Sequence, residues 1–229
     1  MTLTPGVTDD QLGKLFRRMI SLADRTGKSV PFDKVMEGLQ QLYEGKFPSP
    51  ARGFRGHFVP SMPILIGGVS KNELIARVKA VRHVTEHAEE MMRRERFTTL
   101  MRPEIIQLID LTPADLGFTA APATSDLLNP VLLLDWSLRN LDGWTVELCP
   151  AEVGPHLAIQ YKDQPKNESL SIAMNGIPGS HGCPSAFIVA RSIEDGLQLN
   201  ERWVVSTKNW PLNDRLVFRL CRDVQTAAE

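Results

Sequence analysis

Apolar residues recur at helical spacing from the start of the chain. Thr8-Asp9-Asp10-Gln11 has the form of a capping box, and Leu12, Leu15, Phe16, Met19, Leu22 and Ala23 follow on one side of a 3.6-residue period until Gly27. Pro31 suits the first turn of a second helix, whose stripe is Phe32, Val35, Met36, Leu39, Leu42 and Tyr43, closed by Gly45. Residues 1–46 are therefore expected to form a helical hairpin. Its two stripes need a surface to cover them.

Residues 47–143 have a mixed pattern. Prolines and glycines recur from Phe47 to Pro63 and predict a connector, ending in a short strand at Ile64 to Ile66. Ser70-x-x-Glu73 is a second capping box, and no Gly or Pro interrupts the chain from there to Phe97. Read as one helix, this stretch buries Leu74, Val78, Val81, Thr85, Ala88 and Met92. Thr85 followed by Glu86 and Glu89 also has the form of a helix start, with Arg77 to Val84 extended before it. Glu104 to Leu111 (EIIQLIDL) is isoleucine-rich and suits a buried strand, although pattern alone does not separate so short an apolar run from a helix. Asn129 caps Pro130, and Val131, Leu134, Leu138 and Leu141 predict a helix closed by Gly143.

From Trp144 the period becomes two. Trp144, Val146 and Leu148 form one alternating set, Leu157, Ile159 and Tyr161 a second, and Leu170, Ile172 and Met174 a third. Further strands are expected at Phe187 to Arg191, Leu197 to Val205 and Arg215 to Cys221, with Asp195-Gly196 placed for a hairpin turn. Residues 144–222 thus predict an antiparallel meander, followed by a tail at 223–229. The fold class is α+β: a helical hairpin and further helices packed with a C-terminal antiparallel sheet.

Composition narrows the function classes only a little. A net charge of -1 gives no overall pull towards nucleic acid or anionic lipid. No segment has the ~18 uninterrupted apolar residues of a membrane span, and MTLTPGVTDDQ lacks the features of a secretory signal, so a cytoplasmic protein is expected. Cys149, Cys183 and Cys221 are odd in number and widely spaced, which suits free thiols.

The sharpest chemical motif is His83-Val84-Thr85-Glu86-His87, which has the H-x-x-E-H spacing of the inverted zincins. There two histidines hold zinc and the glutamate takes a proton from water. On the one-helix reading, His83, Glu86 and His87 fall opposite the apolar stripe, on a charged face with Lys79, Arg93 and Arg94. On the Thr85-start reading the histidines lie in different elements. Neither arrangement brings a third ligand, and the distance at which the zincins supply one falls among the expected strands around Asp163 and Glu168.

Other chemistry is thinner. Arg52, Phe54 and Arg55 mix cations with a ring, as single-strand nucleic-acid segments do. Asn175 to Pro184 gathers Ser180, His181 and Cys183 in a Gly/Pro-rich loop, which reads first as a long turn. Cys149, His156, His181 and Cys183 lack the knuckle spacing of a zinc site. Trp203 and Trp210 suit a stacking platform or a core.

Leu148-Cys149-Pro150-Ala151-Glu152-Val153-Gly154-Pro155, with Gln160 to Pro165 and Ile172-Ala173-Met174, resembles a stretch in uncharacterised bacterial proteins. Leu116 to Thr119 and Val217 to Arg219 resemble the same set, which implies neither activity nor ligand. This chain departs from that pattern by the insertion at Gly179 to Pro184. Physically, Pro150, Gly154 and Pro155 are expected to form a corner between two strands, with Glu152 and Asp163 near each other accepting backbone N–H groups.

The sequence names no function; the reading it favours is a soluble, non-enzymatic binding or interaction protein, with no catalytic or cofactor residue identified and its partner unassigned, a protein being the first candidate. The alternative is a metal-dependent hydrolase with His83 and His87 as zinc ligands and Glu86 as the base. A nucleic-acid partner through Arg52, Phe54 and Arg55 is a variant of the binding reading.

Overall fold

The computed structural model describes residues 63–141, 144–179, 182–194 and 196–222. The hairpin expected at 1–46, the Arg52, Phe54 and Arg55 segment, Gly143, Ser180, His181, Asp195 and the tail at 223–229 lie outside the described residues.

Among the described residues, five helices and nine strands make up an α+β structure whose mixed sheet curls into half a barrel. The strands are β1 (Ile64–Ile66), β2 (His83–Val84), β3 (Glu104–Leu111), β4 (Trp144–Glu147), β5 (Glu168–Ile172), β6 (Ile177–Pro178), β7 (Pro184–Arg191), β8 (Leu197–Trp203) and β9 (Arg215–Arg222). The helices are α1 (Lys71–Lys79), α2 (Glu86–Arg93), α3 (Thr124–Leu127), α4 (Pro130–Asn140) and α5 (Val153–Gln160). The sheet order is β1-β3-β9-β5-β7-β8-β2, with β4 also on β9 and β6 on β7.

The antiparallel meander expected at 144–222 is therefore corrected. β5 runs parallel to β9 and β2 parallel to β8, and β3, from the middle of the chain, pairs with β9 along Gln107–Leu111. One sheet thus crosses from the middle of the chain into its last third. Pattern reading assigns strands their faces but not their neighbours, and the non-local pairs were invisible to it.

A second correction concerns Leu157, Ile159 and Tyr161, which belong to or follow helix α5 and form no strand. Pro150, Gly154 and Pro155 likewise lead into and open this helix and make no corner between strands. Proline is tolerated in a first helical turn because the N–H it lacks has no partner there. Gly154 lies against the Phe187 ring, and a Cβ there would sit 2.7 Å from the Cβ of Phe187. The helix is buried almost all round, from Val153 to Ala158, so it shows no single apolar stripe. That is why its alternation was misread.

The stretch from Ser70 to Phe97 is two helices. Ser70 caps α1 by accepting from the Glu73 N–H at 3.3 Å, and Thr85 caps α2 by accepting from the Ala88 N–H at 3.4 Å. Between them His83 and Val84 pair with Gln198 and Leu199, a shorter extended piece than Arg77 to Val84. Lys79 at the end of α1 pairs with Glu89 of α2 at 2.7 Å. The stripe breaks where the chain breaks: Leu74, Val78, Ala88 and Met92 are fully buried, but Val81 is exposed. They join a core that includes Ile66, Ile109, Phe218 and the edge-to-face pair Phe97 and Phe187, whose ring centroids are 5.9 Å apart.

No helix among the described residues is long and apolar enough to cross a membrane. Cys149, Cys183 and Cys221 form no disulfide.

Candidate functional site

The buried polar residues come first, because burying them unpaired would be costly. Two of them, Glu152 at the N-cap of α5 and His156 within it, stand with the half-buried Gln160 at i, i+4 and i+8 along one side of the helix. Glu152 Oε1 accepts from the Leu100 N–H at 2.9 Å, and His156 Nε2 accepts from the Gly67 N–H at 3.2 Å. Accepting at Nε2 places the neutral ring's proton on Nδ1. Gln160 accepts from the Leu65 N–H at 3.1 Å and donates to the Leu65 carbonyl at 2.8 Å. The row thus binds the free edge of β1 and the loops beside it. Gly67 has φ +75°, and a Cβ there would lie 2.5 Å from the Arg102 carbonyl oxygen, so only glycine fits this turn. Glu152 Oε2 is buried without a hydrogen bond, 3.6 Å from His156 Nε2.

Arg82 closes the other end of α5. Its guanidinium donates to the carbonyls of Ala158, Tyr161 and Ala190 and to Gln164 Oε1. No carboxylate receives these bonds. Burial, with Arg191 nearby, pulls its pKa down to about 10. Cationic donors at a helix C-terminus meet the carbonyls that the helix leaves unpaired. Gln164, fully buried, passes its own amide N–H groups to the carbonyls of Val189 and Glu168, at 3.0 and 3.3 Å.

Arg215 bridges two carboxylates, Asp110 and Glu168, of which Asp110 is the more deeply buried. Burial pushes the Asp110 carboxyl up against the opposing pull of Arg215. The Tyr161 phenol is pushed up to about 12 by burial and by Glu168. Cys149 is buried, its thiol donates to the Val217 carbonyl at 3.4 Å, and burial drives its pKa well up, which makes it a poor nucleophile.

The H-x-x-E-H residues are split between elements. His83 lies on β2, whereas Glu86 and His87 open α2 beyond the Thr85 cap. All three are exposed. The common helical face of the one-helix reading is therefore absent. Among the described residues no three of His, Cys, Asp and Glu are grouped to hold a metal ion. Glu152 and Asp163 are also placed differently from each other: Glu152 is buried against Leu100, and Asp163 is exposed. Accepting a backbone N–H, the role expected of Glu152, is the role it has. Trp210 is a core residue whose indole donates to Thr124 Oγ1 at 2.8 Å, while Trp203 is half exposed.

Two open grooves lie among the described residues. One, of about 670 Å³, is lined by Lys79 to Val84 and Leu197 and includes His83. The other, of about 500 Å³, lies where α3, the end of β4, the end of β5 and the strands β7 and β8 meet. Its walls are Thr124, Ser125 and Leu128; Leu148; Met174, Asn175 and Gly176; Pro184; and Val204, Val205 and Ser206, none of them ionisable. Backbone bonds hold the walls in place: Thr124 N–H to the Lys208 carbonyl at 2.8 Å, Ser125 N–H to Ser206 at 3.1 Å, and Val204 N–H to Pro184 at 2.8 Å. Gly176 is needed for their closeness, since a Cβ there would meet Pro184 Cβ at 2.7 Å and Val204 Cγ2 at 2.9 Å. Sequence reasoning passed over this groove because it has no motif; its only local signs are the glycine and proline that let three segments approach.

Compared with family models, curated proteins and solved structures, the chain matches none.

Proposed function

We propose that the protein acts by binding a small uncharged molecule in the groove between α3 and the β7 and β8 strands, without catalysing its conversion. The supporting observation is the wall itself: eleven residues, apolar except for hydroxyls and one amide, in a chain of which 23% is charged. About 500 Å³ is within the range of small-molecule sites, in which apolar walls supply contact and a few polar groups fix orientation. Ser125, Ser206 and Asn175 are those polar groups. The wall offers a charged ligand no counter-charge. General acid or base catalysis needs a titratable group at the reacting atoms, and this wall offers none.

Nile red, a neutral dye, is the probe. Its emission is expected to rise saturably with the native protein and to lose that saturable rise in Ser206→Trp or Leu128→Trp, whose side chains fill the groove. Equal dye binding in native and filled proteins would remove the groove from consideration.

A further inference from the structure

One sheet face is apolar beyond what the described helices cover. Leu65 of β1 and Ile105 of β3 are direct cross-strand partners, 48% and 65% exposed. Their neighbours Ile64, Ile66 and Ile106 point the other way and are buried. Following the same face across the sheet, Gln107 pairs with Leu220, and two residues on Arg222 pairs with Trp144. Leu65, Ile105 and Trp144 thus share a side, with the Arg222 guanidinium 5.9 Å from the Trp144 ring. Met101, 95% exposed, lies in the loop that enters β3. Isolated exposed apolar residues need no explanation, but an exposed cross-strand pair of large aliphatics does where the same face is buried further along, at Ile109, Phe218 and Leu220.

We infer that this face is the docking surface for the chain's own N-terminal segment, residues 8–45. The described chain begins at Pro63, one residue before β1, so residues 46–62 link the segment to the strand that carries Leu65. Its sequence carries two apolar stripes, Leu12 to Leu22 and Phe32 to Leu42, which cannot both be covered by each other over their full width. The connector of residues 47–62 spans at most roughly 50 Å when extended, ample to return across a sheet whose strands lie about 5 Å apart. Tethering also decides between this occupant and a second copy of the chain. A short tether holds the segment at an effective concentration on the order of millimolar, far above that of free chains in solution.

Hydrogen exchange read by mass spectrometry on the full-length chain tests the inference. In the native protein, peptides within residues 8–45 are expected to exchange slowly; in Ile105→Glu their exchange speeds up about ten-fold or more, while peptides from β3 and β9 stay protected. Should Ile105→Glu fail to fold, Leu65→Lys, at the exposed cross-strand partner, is expected to give the same result in weaker form. Unchanged exchange of residues 8–45 in a folded variant overturns the inference. So does a native chain that is dimeric by light scattering and in which protection of residues 8–45 and of β1 is lost on dilution to monomer, since a second copy then covers the face. The readout is independent of Nile red binding, so the groove and this face stand or fall separately.

Discussion

The side of the sheet that carries α5 and the groove beside α3 use polarity in opposite ways. Around α5, ionisable and amide side chains are abundant, and nearly every one is tied to a backbone group: Glu152 to Leu100, His156 to Gly67, Gln160 to Leu65, and Arg82 to three carbonyls. In the groove, no wall residue is ionisable, and the polar atoms of Ser125, Asn175 and Ser206 border open space. A residue that looks chemical in a sequence need not face a ligand. Here the chemically rich stretch fastens the structure, and the bland one leaves room for a guest.

Substitutions on the α5 side should change stability and leave groove binding intact. The largest effect is expected from Arg82→Ala. Removing a buried cation that donates to four acceptors leaves those acceptors dry, a loss of roughly 3–5 kcal/mol by analogy with broken buried networks. Urea denaturation should show a lower midpoint, with Nile red affinity unchanged under folding conditions. Lost dye binding in a folded Arg82→Ala would mean that the two regions are coupled.

Arg215→Met comes next, at roughly 2–4 kcal/mol near neutral pH, less than for a fully dry pair because Arg215 is 38% exposed. The variant leaves Asp110 and Glu168 without their shared cation. Asp110 already has a raised folded-state pKa, so its share of stability is present below the unfolded value and is lost as pH rises through the folded one. Without Arg215 that folded value climbs further. The deficit should therefore narrow as pH falls from neutral towards the raised Asp110 value, and a deficit that grows on acidification would contradict the assignment.

The smallest effect sharpens the contrast from the outside. His83 is exposed on a two-residue strand, and His83→Ala should change stability by no more than about 0.5 kcal/mol. Native mass spectrometry of untagged protein should show the same zinc content before and after the change. Zinc near one per chain, lost in His83→Ala, would instead restore the hydrolase reading with Glu86 and His87.

Much of the element pattern was legible in the sequence. The strand at Ile64 to Ile66, the Asn129 cap on α4 and the strands around Phe187, Leu197 and Arg215 lie where local signals placed them, and EIIQLIDL, which pattern alone left between strand and helix, is a strand. Short-range signals sufficed because caps and alternation are properties of a few neighbouring residues. The Thr85 cap was legible too, as one of two readings, but the sequence did not choose between them. What decided was Arg82, drawn in by carbonyls 76 and 79 residues away. The parallel pairing of β5 with β9 and the all-round burial of α5 are likewise set by distant partners. The groove was illegible for the same reason: its walls come from five separated segments, and no single one carries a sign of the others.

The two bonds between the Gln160 amide and the Leu65 backbone have a consequence for how chains meet. An outermost strand normally presents unpaired N–H and C=O groups that another chain can extend. A side-chain amide has the same donor and acceptor pair as a peptide unit, and here it occupies the middle residue of a three-residue border strand. At the opposite border β2 is only two residues long. Among the described residues the sheet therefore offers a foreign strand little border on which to polymerise.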